Sequence, residues 1–371
     1  MKFKSKNTIT VQELRKLLES KSPVKILDVR PKEERDEWKI IESTFVDVYE
    51  ELKKGKRKLF KNIKFPENVP VVTLCSAGKT SMIAMEQLRE EGIEAYSLEG
   101  GMRAWTTAYS MAETKDKEGT TVLQIRRTGK GCLSYMIENN GETVVIDPSL
   151  NIDVYLSIAE SRGWKIKYVL DTHIHADHFS RALELSSKIN AKLLFPEQKL
   201  LKYTYQAIDN GMIISFGKTT LKTIHSPGHT QESYCYLIGN KSLFTGDTLF
   251  TRGVGRPDLK ASQEQAKQKA SLLFESIQKI IGLDPDIIIY PGHISEPIAF
   301  NEILICDTLG NIKESVDLLN YSKDDFITNV LRNIPETPPN YQAIVELNKE
   351  GKAKESELIE LEAGANRCAI S

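Results

Sequence analysis

The histidines of this chain are confined to one stretch. Six occur in 371 residues, the first being His173 and the last His293. With a few aspartates they occupy four short segments: Thr172-His173-Ile174-His175-Ala176-Asp177-His178, Pro227-Gly228-His229-Thr230, Thr245-Gly246-Asp247 and Pro291-Gly292-His293. A short β-rich run (KYVLD, LKTIH, KSLF, DIIIY) stands just ahead of each, so the segments read as strand ends. In extended backbone, residues two apart point the same way, so His173 and His175 can address one metal, and Asp177 and His178 turn back towards the same space. Imidazoles and carboxylates converging at strand ends are metal ligands by type, suited to zinc or iron. The Pro-Gly pairs before His229 and His293 fit tight turns that aim a side chain inward. His225 belongs to no ligand position and reads as local structure.

Sheet is required to deliver such ligands. TVLQIRR, CLSYMI and ETVVID alternate as strands, the latter two joined by the turn residues Asn139, Asn140 and Gly141 as a hairpin. A helix near 152–162 and the strand 167–171 follow.

The first hundred or so residues follow a different plan. Thr10 and Glu13 have the spacing of a capping box ahead of VQELRKLLES. KILDV (25–29) and PVVTL (70–74) read as buried strands, SMIAMEQLREEG as a helix ending at Gly92, and EAYSL as another strand. The turn pair Gly100-Gly101 and a short helix through Trp105 complete it. Strands alternating with helices imply a parallel sheet. Between strand 70–74 and the next helix lies Cys75-Ser76-Ala77-Gly78-Lys79-Thr80. Such a loop collects inward-pointing backbone N–H groups, which favour anions and lower the pKa of a thiol placed among them. A thiolate there suits acceptance of a sulfane sulfur, and it also suits phosphate-ester chemistry.

MAETKDKEGTT (111–121) is polar, lacks periodicity and reads as a linker. The expected organisation is a cysteine-loop domain over 1–112, a linker over 113–119, a metal domain over 120–322, and a C-terminal extension over 323–371 packing on the metal domain.

Fifty basic and 51 acidic side chains leave a formal net charge of −1. That balance argues against a nucleic-acid or anionic-membrane partner, both of which need a basic footprint. No apolar run approaches the roughly 20 residues of a membrane span. The start, MKFKSKNTITVQEL, has no apolar segment after its lysines, so no signal peptide is expected. Five cysteines, an odd number over this length, are no disulfide framework. A cytoplasmic protein is expected, with homo-oligomerisation open. Cys368, in the tail NRCAIS, reads as a flexible-tail cysteine without function.

ILDVR (26–30), CSAGKTS (75–81) and LEGGMRAW (98–105) resemble, in order and spacing, the rhodanese domain of sulfurtransferases. The resemblance implies Cys75 as the persulfide-forming residue, with the backbone of Ser76, Ala77, Gly78, Lys79 and Thr80 as its cradle. Many single-domain rhodaneses end this loop with arginine, where Lys79 and Thr80 stand here.

THIHADH, PGHT, TGD and the late PGH resemble the metallo-β-lactamase superfamily. The fold this implies is an αββα sandwich: two sheets face to face with helices outside. The fold class expected for the whole chain is therefore α/β, a rhodanese-like parallel-sheet domain followed by that sandwich and a C-terminal extension. The superfamily includes thioester and lactam hydrolases, nucleases and oxygen-using iron proteins. The neutral charge disfavours the nuclease branch. The diiron oxygen-reducing branch has glutamate where this chain has His175.

After TGD the chain runs TLFTRGVGRPDL, and its Arg252-Gly253-x-Gly255-Arg256-x-Asp258 resembles the persulfide dioxygenases at that place. The segment 326–348 is similar to the tail of metallo-β-lactamase/rhodanese proteins. A rhodanese module moves the sulfane sulfur that a persulfide dioxygenase consumes, so one chain carrying both has a coherent substrate. The resemblance implies one iron(II) per chain, with zinc the alternative, held by His173, His229 and Asp247. His175, Asp177, His178 and His293 are then either outer groups or ligands of a second metal. Arg252 and Arg256 are expected to bind an anionic substrate's carboxylates, the alternative being that they brace the loop. The expected partners are a small-thiol persulfide such as glutathione persulfide, O2, and thiosulfate or sulfite. Sulfite and thiol are the expected products. The alternatives are a glyoxalase II-like dinuclear zinc thioester hydrolase with an accessory rhodanese module, and a sulfur carrier.

Overall fold

The computed structural model describes residues 7–364 and 366–370. Thr10 caps the helix Val11–Glu19 through Glu13, with both halves of the capping box formed. Four short parallel strands beside Thr8–Ile9 make the first sheet. Lys25–Asp28 and Val71–Leu74 pair at its centre, with Ser43–Phe45 and Ala95–Leu98 outside them. The central strands are buried on both faces, which explains their unbroken apolar character.

The second unit packs a seven-stranded sheet against a six-stranded one. The hairpin Cys132–Asn139/Glu142–Ile146 turns at Asn140 and Gly141, both at positive φ. Helices Ile152–Arg162 and Ala182–Ile189 cover one sheet and Gln263–Ile281 the other, giving the expected αββα sandwich.

Residues 111–121 depart from the linker expectation. Ser110–Lys115 is the edge strand of the seven-stranded sheet, antiparallel to Thr121–Arg127. An edge strand needs only one paired side and one packed face, so Ser110 and Ala112 turn in while 113–115 stay in solvent. That polar exposed stretch hid the strand.

The two units share a core. One apolar cluster runs from Ile9, Trp38 and Trp105 to Tyr135, Phe244 and Tyr290. Trp38 Nε1 donates to Thr128 O at 3.1 Å, and Arg127 Nε to Thr106 O at 2.6 Å. The C-terminal segment joins both units. On the second unit Phe326 and Val330 pack with Leu273 and Ile277 and Glu362 pairs with the buried Arg127 at 2.5 Å; on the first, Glu360 pairs with Arg103 at 2.9 Å and Arg367 with Glu37 at 2.6 Å. No helix among the described residues is long and apolar enough to cross a membrane.

Candidate functional site

The strands Lys165–Leu170, Thr219–His225, Ser242–Gly246 and Ile288–Pro291 end on one side of the sandwich and release the histidine- and aspartate-bearing segments there. Burial of these polar side chains is nearly complete: His173 is 1% exposed, Asp247 2% and His229 3%. The Pro-Gly turn before His293 has a steric reason, since a Cβ on Gly292 would lie 2.6 Å from Asp247 Oδ1. Leu133 N–H donates to Gly292 O and Ile294 N–H to Gly131 O, which pins His293 against Cys132.

His173, His229 and Asp247 form one group whose donor atoms all lie within 4.8 Å of one another. His173 Nδ1 sits 2.9 Å from Thr172 Oγ1, and His229 Nδ1 donates to Arg256 O at 2.8 Å. Holding Nδ1 in this way leaves Nε2 of each ring free as a ligand. These nitrogens stand 3.9 and 3.5 Å from Asp247 Oδ2, which is buried with no hydrogen-bond partner. Burial pushes both imidazoles down, and for His173 the neighbouring His175 adds to the shift. Burial would raise Asp247, but His293, then His173 and His229, outweigh it and hold the carboxyl well below the usual range. Two neutral imidazoles and an ionised carboxylate with an orphaned oxygen are a fitting donor set for a divalent metal.

The remaining histidines face carboxylates. His175 Nε2 is 3.2 Å from Asp147 Oδ1 and 3.7 Å from Asp171 Oδ1, and these three make a separate group. His178 Nδ1 lies 3.1 Å from Asp177, and His293 bridges Asp177 at 2.9 Å and Asp247 at 2.5 Å. Burial would lower each of these imidazoles, yet Asp147 for His175 and Asp177 for His178 and His293 carry them above their ordinary value. His175 Nδ1 and His178 Nε2 are buried without a hydrogen-bond partner, so these rings keep donor capacity.

Sequence reasoning missed several members of this site. Cys132 Sγ donates to Asp177 Oδ2 at 3.2 Å and groups with Asp177, His178 and His293. Cys368 corrects the flexible-tail expectation: it is 2% exposed and groups with Asp247 and His293. The strand Ala369–Ile370 pairs with Gly253–Gly255 and carries Cys368 inward. Asn348 Nδ2 donates to the carbonyls of His175 and His178, and Asn366 Nδ2 to Asp177. Asp147 offered a signal, standing at a strand end as the other site residues do. The tail residues offered none. His225 stays outside, with Nε2 2.9 Å from Gln231 O, as expected.

Arg256 is corrected from a substrate-binding residue to a brace. It is fully buried, its Nε and Nη2 grip Asp258 at 2.8 Å each, and Nη1 and Nη2 donate to Glu336 O, Arg367 O and Pro335 O. These bonds use all five N–H donors of the guanidinium. Arg252 is different. It is exposed and, with Phe250 and His293, lines an open cavity of about 670 Å³.

In the first unit, Cys75 ends the strand Val71–Leu74 and is 3% exposed. The N–H of Ser81 reaches Cys75 Sγ at 3.4 Å and its hydroxyl stands at 3.3 Å, so the contact to sulfur comes from the residue after the expected 76–80 cradle. Gly78 caps the following helix at φ 83°. The LEGG turn is forced by packing, since a Cβ on Gly101 would lie 2.1 Å from Cys75 O. Ser76 Oγ donates to Glu34.

Comparison with known proteins agrees with this division. The rhodanese-like domain model matches residues 10–108, and the metallo-beta-lactamase superfamily model matches 127–293. A probable polyketide biosynthesis zinc-dependent hydrolase of Bacillus subtilis (strain 168) is 31% identical over 167 residues, 43% of this chain and 71% of that protein. A hydroxyacylglutathione hydrolase of Francisella tularensis subsp. novicida (strain U112) is 29% identical over 227 residues, 59% of this chain and 79% of that one. Among solved structures, ETHE1 from Myxococcus xanthus superposes with a TM-score of 0.53 at 24% identity, covering 64% of this chain and 97% of that one. That likeness shows the fold.

Proposed function

Because the chain belongs to the metallo-beta-lactamase superfamily and carries a rhodanese-like domain ahead of it, we propose that it is a persulfide dioxygenase with a sulfurtransferase module. It oxidises a small-thiol persulfide to sulfite and thiol, and Cys75 transfers sulfane sulfur. The observation that carries this reading is the His173–His229–Asp247 group: two imidazoles pushed towards neutrality and one ionised, orphaned carboxylate oxygen. A two-His-one-carboxylate set leaves coordination positions open. Iron(II) held there supplies an accessible redox change, which zinc lacks.

The chain's own residues do the rest. His293, held between Asp177 and Asp247, keeps the Asp247 carboxylate ionised and oriented. Arg256 braces the loop whose carbonyl fixes the His229 ring. Arg252, exposed on the cavity beside His293, is placed to attract an anionic substrate. Cys75, at a helix N-terminus, is the nucleophile for the outer sulfur of thiosulfate or a persulfide.

A dinuclear thioester hydrolase is the second reading. It is favoured by the unpartnered His175 Nδ1 and His178 Nε2 and by the hydroxyacylglutathione hydrolase relative. The test is to load the protein with iron or with zinc and offer each form glutathione persulfide with oxygen, or a hydroxyacylglutathione thioester. The proposal expects oxygen uptake with sulfite by the iron form. Thioester hydrolysis by the zinc form alone would replace it with the second reading.

A further inference from the structure

Between the two units lies a cavity of about 440 Å³, of the size that holds a small ligand. One side is formed by Ser76, the neighbour of Cys75, with Arg30 and Arg103. The other is formed by Lys130 and by Ala176 and Asp177 of the histidine segment. The C-terminal extension adds a third wall, with Tyr341 and Arg367 among the lining residues, and leaves the cavity partly open to solvent. Ala176 and Tyr341 also line a second cavity of about 440 Å³, which reaches His229 and is flanked by Lys260 and Lys269. The two spaces thus adjoin at Ala176 and Tyr341, one bordered by the cysteine loop at Ser76 and the other by His229. The first wall sets four basic side chains (Arg30, Arg103, Lys130, Arg367) against Glu34, Glu37 and Asp177, and the second sets Lys260, Lys269 and Lys349 against Glu232, so both are basic on balance. Arg30, Arg367 and Lys260 are held in ion pairs, and Arg103 is half exposed with Glu360 as its partner at 2.9 Å.

We infer that this pair of adjoining cavities forms one half-open chamber for one small anionic thiol, which takes sulfur from Cys75 and presents it at the metal group without leaving the protein. The inference rests on the persulfide reading above and adds the route. In the first step the thiolate R–S⁻ attacks the outer sulfur of the Cys75 persulfide. The new R–S–S⁻ bond forms, the bond from Cys75 Sγ to that sulfur breaks, and Cys75 leaves as thiolate. In the second, R–S–SH, O2 and water give R–SH, sulfite and two protons. The outer sulfur loses four electrons and dioxygen accepts them. The thiol is regenerated inside the chamber, so it acts as a carrier.

Two measurements test this. In the first, glutathione is titrated calorimetrically into the metal-free full chain. Saturable binding is expected, weakened about tenfold or more by Arg103→Glu, as a like charge placed against an anion requires. Ala363→Trp, which fills the same cavity from the extension, is expected to do likewise. No saturable binding, or binding that neither substitution changes, overturns the chamber. In the second, the chain receives thiosulfate labelled in its outer sulfur, glutathione, oxygen and a pool of unlabelled glutathione persulfide. It is compared with an equimolar mixture of Cys75→Ser and Asp247→Ala chains. Internal handover retains label in sulfite about tenfold better than the mixture, since a confined partner has the higher effective concentration. Equal dilution by a protein that oxidises free glutathione persulfide overturns the handover and leaves the dioxygenase reading standing. Absence of oxygen uptake removes that reading, and the glutathione titration then still decides the chamber.

Discussion

His175 Nε2 lies 3.2 Å from Asp147 Oδ1, and that contact sets the second histidine of the THIHADH segment apart from the first. His173 and His229 are pushed down by burial and offer Nε2 to Asp247's side of the site, whereas Asp147 carries His175 up. Residues of one motif, two positions apart, therefore have different electrostatic surroundings.

The first prediction follows from that difference. His173→Ala and Asp247→Ala remove ligands and are expected to leave the purified chain without iron. His175→Ala and His293→Ala keep most of the iron and lose about 10- to 100-fold in affinity or rate, as changes around ligands do. Metal analysis of the four variants checks it. Complete metal loss in His175→Ala would point to the dinuclear arrangement.

Cys75→Ser is expected to abolish sulfur transfer from thiosulfate to cyanide and to leave oxygen uptake on supplied glutathione persulfide nearly unchanged. The two sites share no side chain, and the Cys75 surroundings are hydroxyls and backbone. Parallel loss of both activities would contradict the two-site account.

The arginines separate by burial. Arg256→Ala strands Asp258 and three carbonyls. Asp258 is only partly buried, so the cost falls at the lower end of that for breaking a buried pair, about 3 kcal/mol. A lowered Tm is expected together with iron loss, because the Arg256 carbonyl holds the His229 ring. Lysine should not rescue it, lacking the planar fork. Arg252→Ala should raise KM for the persulfide with iron content and Tm unchanged. Calorimetry, metal analysis and steady-state kinetics together distinguish the two.

The extension has its own test. Asn348 accepts from Ser180 N–H and donates to the His175 and His178 carbonyls, all in a loop that carries the site. Asn348→Ala leaves buried groups unpaired, a cost of about 1–3 kcal/mol each, and should lower Tm and loosen metal retention without touching a ligand.

The histidine and aspartate group that could hold a metal was legible in the sequence because four strand-end segments repeat one chemical theme, and each lies within a few residues of its strand. Cys132, Asn348, Asn366 and Cys368 were not, because they reach the site across long sequence separations and carry no local pattern. Arg256 shows the limit of residue type as a guide. A guanidinium after a ligand aspartate looks like a substrate clamp until its five donors are counted. The edge strand Ser110–Lys115 was hidden for another reason, since half of its residues face solvent and present no alternation to find.

The central claim is that the His173–His229–Asp247 group performs oxygen chemistry on persulfide sulfur. Its most direct test follows dissolved oxygen and sulfite together while iron-loaded protein receives glutathione persulfide. The account predicts one sulfite formed per oxygen consumed, and no uptake by His229→Ala or Asp247→Ala protein. Zinc-loaded protein that consumes no oxygen while the iron form is equally inert, with thioester hydrolysis proceeding anaerobically, would contradict it.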